Sequence, residues 1–92
     1  MQIYNVASNT WARSLTLPLG LNTVGSASAV VAFGYVYVCG GINAAGATIS
    51  NCAMYGLASG TFTTMASMPV GVNHAAFACD GVRLYVVGGR CV

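Results

Sequence analysis

Charge is almost missing from this sequence of 92 residues. There is no lysine and no glutamate, and the charged side chains are Arg13, Arg83, Arg90 and Asp80. They make up 4% of the chain, against about 25% in an ordinary soluble domain. Three arginines and a net charge of +2 cannot form a stripe that tracks phosphates, which excludes nucleic-acid binding. With 57% hydrophobic residues, the chain also lacks the low hydrophobicity and high net charge of a disordered protein. The only histidine is His74 and the only carboxylate side chain is Asp80. One acid and one base at unrelated positions do not make a nucleophile triad or a carboxylate pair. No catalytic, cofactor-binding or metal-binding residue is assigned, and a non-enzymatic protein is expected. The ordinary roles at these positions are a strand-entry hydrogen-bonder for His74 and a turn former for Asp80.

Helical periods and targeting segments are missing as well. Val24 to Ile42 carries no charge over 19 residues, enough to cross a bilayer on the usual count of about 17–25. Its contents point elsewhere, because Gly25, Gly34, Gly40 and Gly41 interrupt it and Tyr35-Val36-Tyr37-Val38 favours a strand. No arginine cluster flanks it to set an orientation, and no membrane span is expected. The N-terminus shows no basic segment followed by an apolar stretch and a small-residue cleavage site, so no secretion signal is visible. The expectation is a soluble chain whose compartment stays open.

What the sequence does contain is a repeat with two fixed offsets. At the longer offset, Tyr4, Trp11, Pro18 and Asn22 recur as Tyr55, Phe62, Pro69 and Asn73. At a slightly shorter one, Tyr37, Val38, Gly40 and Gly41 recur as Tyr85, Val86, Gly88 and Gly89. The copies therefore differ by a short deletion between Asn22 and Tyr37, a change that a loop tolerates. Within each copy, short β-rich runs alternate with turn residues. Ala27–Phe33, Tyr35–Cys39, Ser50–Tyr55 and a run from Thr61 are the expected strands of the central copy. Gln2–Val6, a run from Trp11, His74–Cys79 and Arg83–Val87 are their partial counterparts, and Asp80-Gly81 is a hairpin signal. The chain reads as all-β.

A period of roughly 50 residues, with a double glycine closing the second strand, a tyrosine on the third and an aromatic opening the fourth, resembles the kelch motif. The residues that carry it are Gly40-Gly41, Tyr55 and Phe62, then Gly88-Gly89, with Tyr4 and Trp11 from an N-terminal half copy. The arginine often found a few residues after the kelch proline is replaced by Leu21 or Val72. The resemblance implies a segment of a kelch-type β-propeller with four-stranded antiparallel blades. Residues 23–69 would form a complete blade, flanked by half blades at 1–22 and 70–92. A propeller has about four to eight blades, so this segment belongs to a longer protein or its copies associate. In the second case Val82–Val87 of one copy would pair with Gln2–Val6 of another, and three copies would give six blades.

Kelch-like propellers commonly serve as protein–protein interaction modules, which is the function the resemblance implies, with an unidentified protein as partner. They also include the central domain of copper carbohydrate oxidases such as galactose oxidase, so a carbohydrate-binding fragment is the alternative. The copper site of those enzymes needs several tyrosine, histidine and cysteine ligands, which a single histidine cannot supply. Alternating hairpins place segments 17–25, 42–49, 67–73 and 90–92 at one end. Asn22, Asn43, Thr48, Asn73 and Arg90 are the polar groups there that could hold a peptide or a sugar.

Cysteines stand at 39, 52, 79 and 91, without the close pairs of zinc sites. Cys39 ends one strand and Cys52 begins the next, so a bridge across that hairpin is geometrically possible. The commoner role of such residues is that of a small buried apolar side chain.

Overall fold

The computed structural model describes residues 1–12, 17 and 25–91. Its elements are β1 (Tyr4–Asn5), β2 (Thr10–Trp11), β3 (Ser28–Ala32), β4 (Tyr35–Cys39), β5 (Cys52–Gly56), β6 (Phe62–Met65), β7 (Ala76–Cys79) and β8 (Leu84–Val87). They pair into three antiparallel sheets: β1-β2, the meander β3-β4-β5-β6, and β7-β8. The protein is all-β, with a four-stranded sheet between two hairpins. Ser28 to Cys39, the middle of the long uncharged stretch, is β3, β4 and their turn. No helix among the described residues is long and apolar enough to cross a membrane.

Three strands start two residues later than the β-rich runs suggest, β1 at Tyr4, β5 at Cys52 and β7 at Ala76. Ser50 does not join β5, because its carbonyl accepts from Met68 N at 2.9 Å, and pairing with β4 begins at Cys52. His74 lies in the left-handed region with φ 55°, which ends regular extended backbone there, and β7 begins at Ala76. The turns follow local chemistry. Phe33-Gly34 joins β3 to β4 with φ of 54° and 80°, the two-residue turn whose twist matches a hairpin. Asp80 Oδ1 accepts Val82 N at 2.9 Å and Arg83 N at 2.8 Å, closing the β7–β8 turn.

The buried apolar side chains are Tyr37, Cys39, Cys52, Ala53 and Tyr55, all on the central strands β4 and β5. Register distributes these side chains over both faces of the two central strands. Val36 opposes Tyr55 and Tyr55 opposes Phe62 on one face, while Cys39 opposes Cys52 and Cys52 opposes Met65 on the other. Of the two roles open to Cys39 and Cys52, the structure has the disulfide. Gly40 N donates to Asn51 O, so the next pair along, 39–52, is a non-hydrogen-bonded one, where opposed side chains come closest. The Cα atoms of the two cysteines are 4.2 Å apart. Cys79, half-buried, and Cys91, exposed, are free thiols.

Both offsets of the sequence repeat reappear in the backbone. At the longer offset, Tyr4 and Trp11 form a cross-strand ring pair with centroids 5.1 Å apart, and Tyr55 and Phe62 form the same pair at 5.1 Å. The turns between them match too, with Ser8–Thr10 and Ser59–Thr61 hydroxyls bonded at 2.6 and 3.0 Å. Asn9 and Gly60 hold positive φ at equivalent places. At the shorter offset, the bridge Gly25–Ile42 recurs as Asn73–Arg90, and Ser26 and His74 share φ of 57° and 55°. Since Gly25 already obeys the shorter offset, the difference in length lies before it. Both glycines of each pair hold positive φ, and the second of each pair sits in the same surroundings. A Cβ on Gly41 would lie 2.7 Å from Gly25 O, and one on Gly89 2.8 Å from Asn73 O, distances that exclude a side chain.

The β3–β6 sheet and the β7-β8 hairpin meet through equivalent segments. β3 packs against β7, Ser28 Oγ donates to Ala75 O at 2.7 Å, and His74 N donates to Ser26 O at 3.1 Å. Ser28 lies opposite Cys39, so its bond to Ala75 joins the β7 segment to the central sheet at the edge strand β3.

Candidate functional site

Hydrogen bonds collect the loop segments at one end of the sheets. Gly25 pairs with Ile42, Ile49 N donates to Gly41 O, Gly41 N donates to Val72 O, and Asn73 pairs with Arg90. This is the end at which the candidate polar residues were expected. Asn22 lies outside the described residues, whereas the other four are placed.

Three of them converge. Asn73 is 2% exposed. Its Nδ2 donates to Thr48 Oγ1 at 2.9 Å and to the Arg90 carbonyl at 3.3 Å, and its Oδ1 accepts from His74 Nδ1 at 2.5 Å. With that ring proton on Nδ1, the neutral imidazole presents Nε2 as an acceptor, and Ser26 Oγ lies 3.0 Å from it. A polar chain Thr48–Asn73–His74–Ser26 thus links the two larger sheets. Burial of an amide needs such partners, because an unmade hydrogen bond there costs about 1–3 kcal/mol. Asn43 is turned to its own loop, where Oδ1 accepts Ala45 N at 3.1 Å and Ala47 N at 3.0 Å. Arg90 is exposed, and its backbone holds the bridge to Asn73.

Asp80 stands in the β7–β8 turn. Backbone N–H groups of Arg83 and Val82, joined by the Tyr85 hydroxyl at 2.8 Å, hold its carboxyl below the usual range by stabilising the charged form. It works as a turn former, and His74 as a bonded strand-entry residue. Among the described residues no three His, Cys, Asp or Glu side chains come together.

The hairpin tips have a different character. Val6, Phe33, Leu57 and Val82 are 83%, 54%, 55% and 76% exposed. All four lie in the turns of β1–β2, β3–β4, β5–β6 and β7–β8, and Val6 and Leu57 are equivalent at the longer offset. Turn tips are ordinarily polar, so an apolar residue at each is a surface feature that the reading of the loops passed over. The available signal was Phe33-Gly34, where a two-residue turn favours asparagine first. A shallow groove lined by Met68, Val72, Leu84 and Val86 opens beside β8.

No protein-family model matches the sequence, and no curated protein matches it.

Proposed function

We propose that this chain is a segment of a kelch-type β-propeller that serves as a protein–protein interaction module and carries out no catalysis. The observation that carries the reading is the backbone equivalence at both offsets of the repeat, including the glycine pairs, the paired aromatics and the left-handed Ser26 and His74. Stacked four-stranded meanders related by one repeated operation are what a propeller requires. The exposed apolar tips favour a protein partner, since large apolar side chains supply the anchors of protein interfaces. The alternative reading, a carbohydrate-binding propeller fragment, rested on the Asn/Thr-rich loops that carry Asn22, Asn43, Thr48 and Asn73, beside Arg90. Asn43 Oδ1 and the Asn73 amide are engaged within the chain, which weakens it.

The test pans the folded protein against a random peptide library and a glycan array in parallel. Enrichment of apolar peptides, at least about tenfold weaker with Phe33→Asn and Leu57→Ser as expected for loss of interface anchors, supports the proposal. Glycan binding without peptide enrichment overturns it.

A further inference from the structure

The central sheet supplies a template for what the two outer hairpins lack. β4 is covered on its outer edge by β5, whereas β8, its equivalent, has no strand beyond it among the described residues, and β1, the equivalent of β5, is paired only with β2. The cost of that incompleteness is visible in exposure. Tyr55 and Tyr37 are 8% and 9% exposed, but their counterparts Tyr4 and Tyr85 are 40% and 42%. Cys39 is 4% exposed and its counterpart Val87 is 60%. Side chains that the complete sheet buries are laid open in the half sheets.

We infer that β8 of one copy pairs antiparallel with β1 of a second copy in one register, with Leu84 opposite Tyr4, Tyr85 opposite Ile3 and Val86 opposite Gln2. This rests on the reading of the chain as repeated blades and adds the partner and the pairing. The register is the β4–β5 pairing Val36–Tyr55, Tyr37–Met54 and Val38–Ala53, carried forward by the shorter offset on the β4 side and back by the longer offset on the β5 side.

Backbone direction provides a separate check. Asp80 N bonds to Arg83 O, and alternation along β8 then points the groups of Tyr85 and Val87 at β7 and those of Leu84 and Val86 outward. Ala12 N bonds to Ile3 O, so Ile3 and Asn5 face β2 while Gln2 and Tyr4 point outward. The outward residues are the ones that the register pairs. Tyr4 of the second copy then lies beside Leu84, against the groove of Met68, Val72 and Val86, as Tyr55 lies beside Val36. The contact is head-to-tail, so copies close into a ring or extend as a filament.

The experiment uses the full chain with Cys79→Ser and Cys91→Ser, adding Ile3→Cys with Tyr85→Cys. Tyr85–Ile3 is the non-hydrogen-bonded pair of the register, the type that the Cys39–Cys52 disulfide occupies. Under a glutathione redox buffer, a disulfide between copies linking positions 3 and 85, identified by peptide mass spectrometry, is the expected result. Gln2→Cys with Tyr85→Cys, which puts the two thiols on opposite faces, should cross-link at least about tenfold less. Light scattering of the unaltered chain should show an oligomer and guards against a variant that does not fold. An oligomer whose cross-link favours positions 2 and 85 overturns the register and leaves the repeat reading standing. A folded monomer at every concentration overturns the pairing. Loss of the β3–β6 pairings themselves, seen by NMR, would overturn the repeat reading along with it.

Discussion

Phe33 holds φ at 54° with more than half of its side chain exposed, a combination in which the residue gains little burial to set against its backbone strain. The left-handed region costs an ordinary L-residue about 1–2 kcal/mol, and asparagine visits it routinely. Phe33→Asn should therefore stabilise the protein by roughly 1 kcal/mol, read as a higher urea midpoint at unchanged slope. An unchanged or lower midpoint would mean that the aromatic ring packs better than its exposure indicates. Gly34 made this turn legible in the sequence. The ring's position did not show, because Phe33 continues an apolar strand run and reads as its last residue. Asn73 shows the opposite difficulty. As a polar residue in a loop it reads as facing water, and it is buried against Thr48, a partner far away in the chain, a contact that no local pattern encodes.

At the scale of the strand, the short β-rich runs and their turn residues marked the eight strands of the described residues, and the errors fell at the ends. Strand interiors depend on side-chain type and alternation, which are written locally. Ends depend on where backbone groups find partners, and Ser50 found Met68. The Cys39–Cys52 bridge has the same character: spacing left two roles open, and the register of β4 with β5 decided between them. Closing a loop with a sequence separation of 13 restricts the unfolded chain by about 3 kcal/mol in the chain-entropy account. The double substitution Cys39→Ala and Cys52→Ala should lower unfolding stability by about 2–4 kcal/mol, measured by urea denaturation. Without reductant, alkylation should modify Cys79 and Cys91 alone. Four modified cysteines, or an unchanged midpoint in the double variant, would remove the bridge from the account of the central sheet.

At the scale of the whole molecule, buried apolar side chains concentrate in the central sheet, and the outer hairpins display the same residue types to solvent. The repeat was legible because it recurs at fixed offsets. Its consequence for exposure was not, since Tyr4 and Tyr55 are alike in sequence and differ in whether a neighbouring strand covers them. Backbone amides report that difference directly. Val36 and Val38 point at β5, and their equivalents Leu84 and Val86 point away from β7, while Tyr85 and Val87 point toward it. In dilute protein, Leu84 and Val86 amides should exchange with deuterium at least about tenfold faster than those of Val36 and Val38. Raising the protein concentration should slow Leu84 and Val86 and leave Tyr85 and Val87 nearly unchanged, because pairing with a second copy covers one edge of β8 and its bonds to β7 already protect the other. Slowing at Tyr85 and Val87 instead would place the association on a face of the sheet and not on its edge. Exchange at Leu84 and Val86 that ignores concentration would mean that the edge of β8 takes no strand from another copy.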